Sequence, residues 1–184
     1  MNLSFSSTGT TKLLKLIKDV EEGQEKALYR TLKAIQKKMI IDISKQIRND
    51  PKHGLNLTKA YVDSKLKLGR ISYTNLEARL SASKRGILLS QFPYTVNSRG
   101  VSVKVKRKGR RKTLRGGFIL PRLKNSHVTG IAIRRGGKAD VLHGPSISQA
   151  FDQALKNSDI TERLSSYAAE RLKKEVESII RRGR

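Results

Sequence analysis

Val101–Leu120 reads VSVKVKRKGRRKTLRGGFIL, and its alternation decides the fold class. Val101, Val103 and Val105 fall on one side of an extended chain; Ser102, Lys104 and Lys106 fall on the other. That is the period of a strand with one buried and one wetted face. A cationic run from Lys106 to Lys112 follows, with Gly109 inside it as a chain reverser. Gly116-Gly117 then leads into the apolar Phe118-Ile119-Leu120. The pattern predicts a strand, a cationic loop and a return strand: a long protruding hairpin arm over residues 101–120 with Lys and Arg at its tip. From Ala78 to Ala139 there are 17 Lys and Arg and no Asp or Glu, so the arm is the centre of a one-sign block.

N-terminal to this block the periodicity is helical. Leu28, Leu32, Ile35, Met39, Ile43 and Ile47 recur every three or four residues and predict a long helix over Gln24–Arg48. Ile40 and Ile41 widen its stripe toward a second packing surface, and Asn49-Asp50-Pro51 stops it. A short helix is expected over Thr11–Val20, ended by Gly23. A weaker one is expected over Leu55–Leu68, with Asn56 as its N-cap and Tyr61, Val62 and Leu66 as its packing residues. Met1–Thr10, where Leu3 and Phe5 alternate, is either a flexible arm or a strand. From Leu76 the period becomes two, through Ala78, Leu80 and Ala82, and Ile71–Tyr73 could pair with this strand across Thr74-Asn75. Ile87–Tyr94 is an apolar connector closed by Phe92-Pro93.

C-terminal to the arm, Ile131 and Ile133 predict a strand that turns at Gly136-Gly137 into Val141-Leu142. Gly144-Pro145 reads as a sharp turn. Ser146 and Gln149 then have capping-box spacing ahead of Ile147, Ala150, Phe151, Ala154 and Leu155. Asn157 ends that helix, and Asp159 with Glu162 opens the last one, striped by Leu164, Ala168, Leu172, Val176 and Ile179. Glu170 four residues before Lys174 adds a favourable pair, and residues 181–184 form a frayed tail. Helices, then short strands, then helices predict one α+β domain over 1–184, with a mostly antiparallel sheet packed by a long N-terminal helix and C-terminal helices.

The chain has 184 residues and a formal net charge of +25, a field that repels its own copies and attracts polyanions or acidic surfaces. It contains no Cys, which removes disulfide and thiolate chemistry and suits a reducing cytoplasm. Its longest apolar runs, Met39–Ile41 and Ile87–Leu89, are far short of a membrane span, and its start lacks a signal-peptide pattern. His53, His127 and His143 fall in separate turns or strand ends without metal-ligand spacing. There is no phosphate loop and no dinucleotide fingerprint. No catalytic residue, cofactor or metal is therefore expected.

A solvated loop that guards an edge hairpin would explain some of the charge. Six cations in seven residues exceed that need and point to a contact with phosphates or an acidic partner. The candidate contact residues are Lys104, Lys106, Arg107, Lys108, Arg110, Arg111, Lys112 and Arg115 of the arm, with Arg134, Arg135 and Lys138 of the next hairpin. Only Phe92, Tyr94 and Phe118 lie among them as aromatics, which argues against base stacking and sequence readout.

The order of these features resembles the phage tail completion proteins of the minor tail protein Z type, related to other neck and tail-joining proteins. The pieces that carry the resemblance are the long basic N-terminal helix, VSVKV with its Lys/Arg run, GGFILPRLKN, IAIRR, VLHGPSISQAF and the closing basic helix. It spans nearly the whole chain apart from the first dozen residues and Ile87–Tyr94. The resemblance implies a structural virion protein at the head-proximal end of a long tail. It also implies a homo-oligomeric ring, a hexamer, around the DNA channel between tail tube or terminator and head connector, assembled in the host cytoplasm. It supplies no catalytic residues. A cellular sequence-nonspecific nucleic-acid-binding protein, architectural or ribosome-associated, explains the charge equally well but not the order of motifs.

Overall fold

A computed structural model describes residues 2–5, 24–123, 128–156 and 159–182. The helix expected over Thr11–Val20, the break at Asn157, His127 and the end of the frayed tail lie outside them. The architecture is α+β, with a long N-terminal helix, C-terminal helices and antiparallel sheets. The strands form several small sheets, and the chain divides into two compact units.

The first unit comprises Met1–Ile43, Leu66–Ala82 and Leu155–Arg184. Its long helix α1 (Gln24–Asn49) runs into the second unit for its last six residues. Leu32, Ile35, Met39 and Ile43 are buried along the expected stripe, and Leu28 is half-buried at its start. Each such side chain contributes roughly 1.5–3 kcal/mol by leaving water. The widened stripe has a limit: Ile40 is half-buried, but Ile41 is 50% exposed. Two polar contacts fix what the helix packs on. Gln36 Nε2 donates to Gly69 O at 2.7 Å, and Arg30 lies 3.6 Å from the buried Glu175 carboxylate of the last helix. That helix, α4 (Ile160–Arg182), buries Ile160, Leu164 and Leu172 and carries the expected Glu170–Lys174 pair at 2.5 Å.

The sheet of this unit has the order β1-β3-β2, where β1 is Asn2–Phe5, β2 is Leu66–Leu68 and β3 is Ala78–Ala82. Two expectations change here. Ile71–Tyr73 does not pair with β3; Ser72 and Asn75 bond each other's backbone in a tight turn, and β2 takes the place beside β3. Residues 66–68 are consequently strand and not helix. The helix expected over Leu55–Leu68 shrinks to α2 (Lys59–Ser64), capped by Thr58 instead of Asn56. The reason lies upstream, where the Leu55 N–H bonds Ile47 O and the Asn56 N–H bonds Val105 O, so that backbone is already committed.

The second unit comprises Ser44–Lys65 and Ser83–Ala154. The expected connector forms β4 (Gly86–Leu88) and a 3-10 turn (Leu89–Gln91) that buries Leu89, with Phe92 buried beyond it. The next sheet has the order β5-β6-β7, with β5 Tyr94–Asn97, β6 Gly100–Val103 and β7 Lys112–Arg115. The return strand of the basic hairpin is thus Lys112–Arg115, not Phe118–Leu120. The register Val101↔Leu114 and Val103↔Lys112 puts a valine–leucine pair under the sheet. Gly116-Gly117 instead carries the chain out to β8 (Phe118–Leu120), which pairs with β9 (Gly130–Arg135).

Strand β9 turns into β10 (Lys138–Val141) through Gly136 and Gly137, whose φ of 53° and 77° suit a two-residue hairpin turn. Gly144-Pro145 is not a free turn but part of β11 (His143–Ser146), which pairs with β4 through a register shift that accommodates the proline. Helix α3 (Ile147–Lys156) opens on a complete capping box. The Ser146 N–H donates to Gln149 Oε1 at 3.0 Å, and the Gln149 N–H donates to Ser146 Oγ at 3.1 Å.

Candidate nucleic-acid interface

Charge is unevenly divided. The second unit holds 21 Lys and Arg against four acids, Asp50, Asp63, Asp140 and Asp152. Asp50 and Asp63 serve local structure. Asp50 Oδ1 accepts the N–H groups of Lys52 at 2.9 Å and His53 at 2.6 Å, closing the turn after α1. Burial opposes ionisation of this carboxyl, but those two N–H donors, the His53 charge and Gln46 together hold it below the usual carboxylate range. Asp63 pairs with Lys59 at 2.7 Å. Asp63 is thus taken up locally, whereas Asp50 lines a small cleft with Lys106 and Lys108 of the cationic loop.

All eleven sequence-derived candidates lie in this unit, in three kinds of setting. Lys104, Lys106 and Arg107 are partly spent on structure. The Lys104 N–H donates to Pro93 O at 3.0 Å, and its carbonyl accepts from Asn56. Lys106 Nζ donates to Lys52 O at 3.2 Å; the Arg107 N–H donates to Gly54 O at 2.9 Å, and its guanidinium holds Asn49 Oδ1. The first half of the cationic loop is therefore fastened to residues 49–56.

At the tip, Gly109 N–H closes on Lys106 O at 3.2 Å. Lys108, Arg110, Lys112 and Arg115 are exposed and have no side-chain partner among the described residues. Arg111 is exposed too, and its guanidinium reaches across the sheet to Thr95 Oγ1 at 3.0 Å.

The next hairpin differs. Arg134 lies over the Phe118 ring at 5.8 Å, and Arg135 faces Asp140 at 3.7 Å, while Lys138 is exposed. Its charge is the more compensated of the two.

One face of β5-β6-β7 is polar throughout. Ser102, predicted to face water, is buried because its hydroxyl bonds Thr113 at 2.8 Å and meets Asn97 at 3.4 Å. A cleft of about 480 Å³ in the same unit, away from this sheet's strands in its lining, is formed by Tyr61, Lys65, Ser83, Arg85, Gln91 and Ile147 among others, with no acid. Burial raises the Tyr61 hydroxyl pKa against the opposing pull of Arg85. Sequence reading passed over Arg99, in the turn between β5 and β6, and Lys65 and Arg85. Only the Asn-Ser-Arg-Gly turn spelling could have flagged Arg99; the other two are isolated cations in the sequence.

With Phe92 buried and Phe118 under Arg134, this surface offers many cations and few stacking rings. Such a surface can hold phosphates or carboxylates, and it lacks the means to read bases. Among the described residues there is no cluster of three His, Cys, Asp or Glu able to hold a metal, and no helix long and apolar enough to cross a membrane. No curated protein and no solved structure matches the chain. A family model described as prophage minor tail protein Z (GPZ) matches residues 10–183. The match runs through α1, the basic hairpin and both C-terminal helices, and the chain belongs to this family of phage tail proteins.

Proposed function

We propose that the protein completes the phage tail at its head-proximal end. Copies form a hexameric ring around the DNA channel, between tail tube or terminator and head connector. The basic hairpin faces the DNA and holds it without sequence preference. One observation carries this reading: Lys108, Arg110, Lys112 and Arg115 are unpaired among the described residues, on a hairpin whose loop is pinned over its first half to residues 49–56. A pinned cationic array meets a polyanion with little loop-ordering cost, whereas a solubility loop has no use for fixed backbone. The role is structural, without catalysis, in the virion neck after assembly in the host cytoplasm.

Size-exclusion chromatography with light scattering, with and without duplex DNA, tests it. The expected result is a closed oligomer whose DNA contact is salt-labile and sequence-blind. A monomer that prefers structured RNA would overturn it in favour of a cellular nucleic-acid-binding role.

A further inference from the structure

Among the described residues the β5-β6-β7 sheet ends in two unpaired edges that are defended differently. On β7 the exposed Lys112 and Arg115 supply the charge that discourages a foreign strand. Strand β5, Tyr94-Thr95-Val96-Asn97, has no charge, and its last three residues are exposed, Val96 by 60%. A β-branched apolar residue this open on an edge strand is a ready template for pairing.

The ladder says which backbone groups are on offer. The Lys104 N–H bonds Pro93 O, and the register continues as Tyr94↔Val103 and Thr95↔Ser102. Antiparallel pairs alternate between those that exchange bonds and those that do not. Thr95 and Asn97 therefore turn their N–H and C=O groups toward β6, and Tyr94 and Val96 turn theirs outward. Pro93, like Thr95 and Asn97, turns its carbonyl toward β6, so the outward groups begin at Tyr94.

The side chains say what would pair there. Tyr94 and Val96 share a face with Val103 and Val101, their cross-strand partners. Thr95 and Asn97 share the opposite face, where Arg111 bonds the Thr95 hydroxyl and Arg99 occupies the adjoining turn. An incoming strand meets apolar surface on one side and guanidinium on the other. A second copy of this edge would set Arg99 and Arg111 against their like, within a block that has no acid from Ala78 to Ala139.

We propose that the β5 edge accepts, by strand addition, an extended segment of a neighbouring protein in which apolar and acidic residues alternate. The apolar residues lie beside Tyr94 and Val96, and the acids lie beside Arg111 and Arg99. The proposal rests on the virion reading only for the existence of such a neighbour.

The probe is a fluorescein-labelled heptapeptide alternating valine and glutamate, followed by anisotropy and by amide hydrogen exchange of the full chain. The alternating peptide should bind and should slow exchange at the Tyr94 and Val96 amides, leaving Thr113 and Arg115 unchanged. Val96→Pro removes one outward N–H and should weaken binding by about tenfold or more. Val96→Lys, which keeps the backbone intact, should do the same if the proline variant misfolds. A heptapeptide with the same residues in two blocks should bind poorly. Equal binding by the block peptide, or unprotected Tyr94 and Val96 amides in the wild-type complex, would overturn the proposal. Because ring formation is read separately by light scattering, failure here leaves the tail-completion reading standing, and the reverse holds too.

Discussion

The division of the loop cations into fastened and unpaired groups makes a quantitative expectation. Changing Lys108, Arg110, Lys112 and Arg115 to Ser removes four exposed charges without touching the bonds of Lys106 or Arg107 to residues 49–54. The fold should survive, with stability altered by no more than about 0.5 kcal/mol, because none of the four side chains has a described partner. If each neutralises one DNA phosphate, the slope of log affinity against log salt should fall in magnitude by about 3.6, at about 0.9 per contact. Between 50 and 200 mM salt, wild-type affinity should then drop on the order of 100-fold more than that of the variant. Fluorescence anisotropy with a labelled duplex, repeated on two unrelated sequences, measures this. Parallel slopes for the two proteins would refute the assignment of these four residues to phosphate. A wild type that binds one sequence strongly over the other would refute sequence-blind contact.

Other expectations concern the fold that carries the loop. Met39→Asp puts an unpaired charge at a fully buried position, at a cost of several kcal/mol, and should leave the chain insoluble or unfolded; normal melting would show that the stripe is an exposed interface. Ser146→Ala removes the hydroxyl that accepts the Gln149 N–H and should lower stability by about 1 kcal/mol, read as a fall in Tm. Gly100 has φ of 127° and a Cβ there would sit 2.1 Å from Leu114 O, so Gly100→Ala should disrupt β6–β7 pairing, visible as lost amide protection across the hairpin. The Asp50 carboxyl is held below the usual range in the folded chain, so its share of stability is full above about pH 4 and is lost as pH falls through the depressed value. Asp50→Asn should therefore flatten the acid limb of a stability–pH curve, and an unchanged limb would sink that account.

Much of this architecture was legible because its signals were local. The α1 stripe, the Gly136-Gly137 turn and the Ser146–Gln149 box each depend on residues within a few positions of one another. The misread segments were those decided by distant backbone. Residues 55–58 look helical until Ile47 and Val105 claim the Leu55 and Asn56 N–H groups. Phe118–Leu120 looks like the return strand because it is apolar, but Leu114, just beyond the cationic run, pairs with Val101, leaving 118–120 for β9. At the candidate interface, residue type was readable and role was not. Nothing in KRKGRRK distinguishes Arg107, which holds Asn49, from Arg110, which holds nothing among the described residues.

The fastening of the loop also sets an order of events in folding. Asn56 meets Lys104 across 48 positions, and Arg107 meets Asn49 across 58. Closing a loop of that length costs about 3.5 kcal/mol in chain entropy, apart from a constant. Contacts so remote form late, after local helices and hairpins have lowered the cost of bringing the ends together. A nascent or unfolded chain thus carries all the cations but not their arrangement. In a host filled with nucleic acid, early encounters would be with scattered charge on a mobile coil, and the ordered array would appear only as each chain finishes folding.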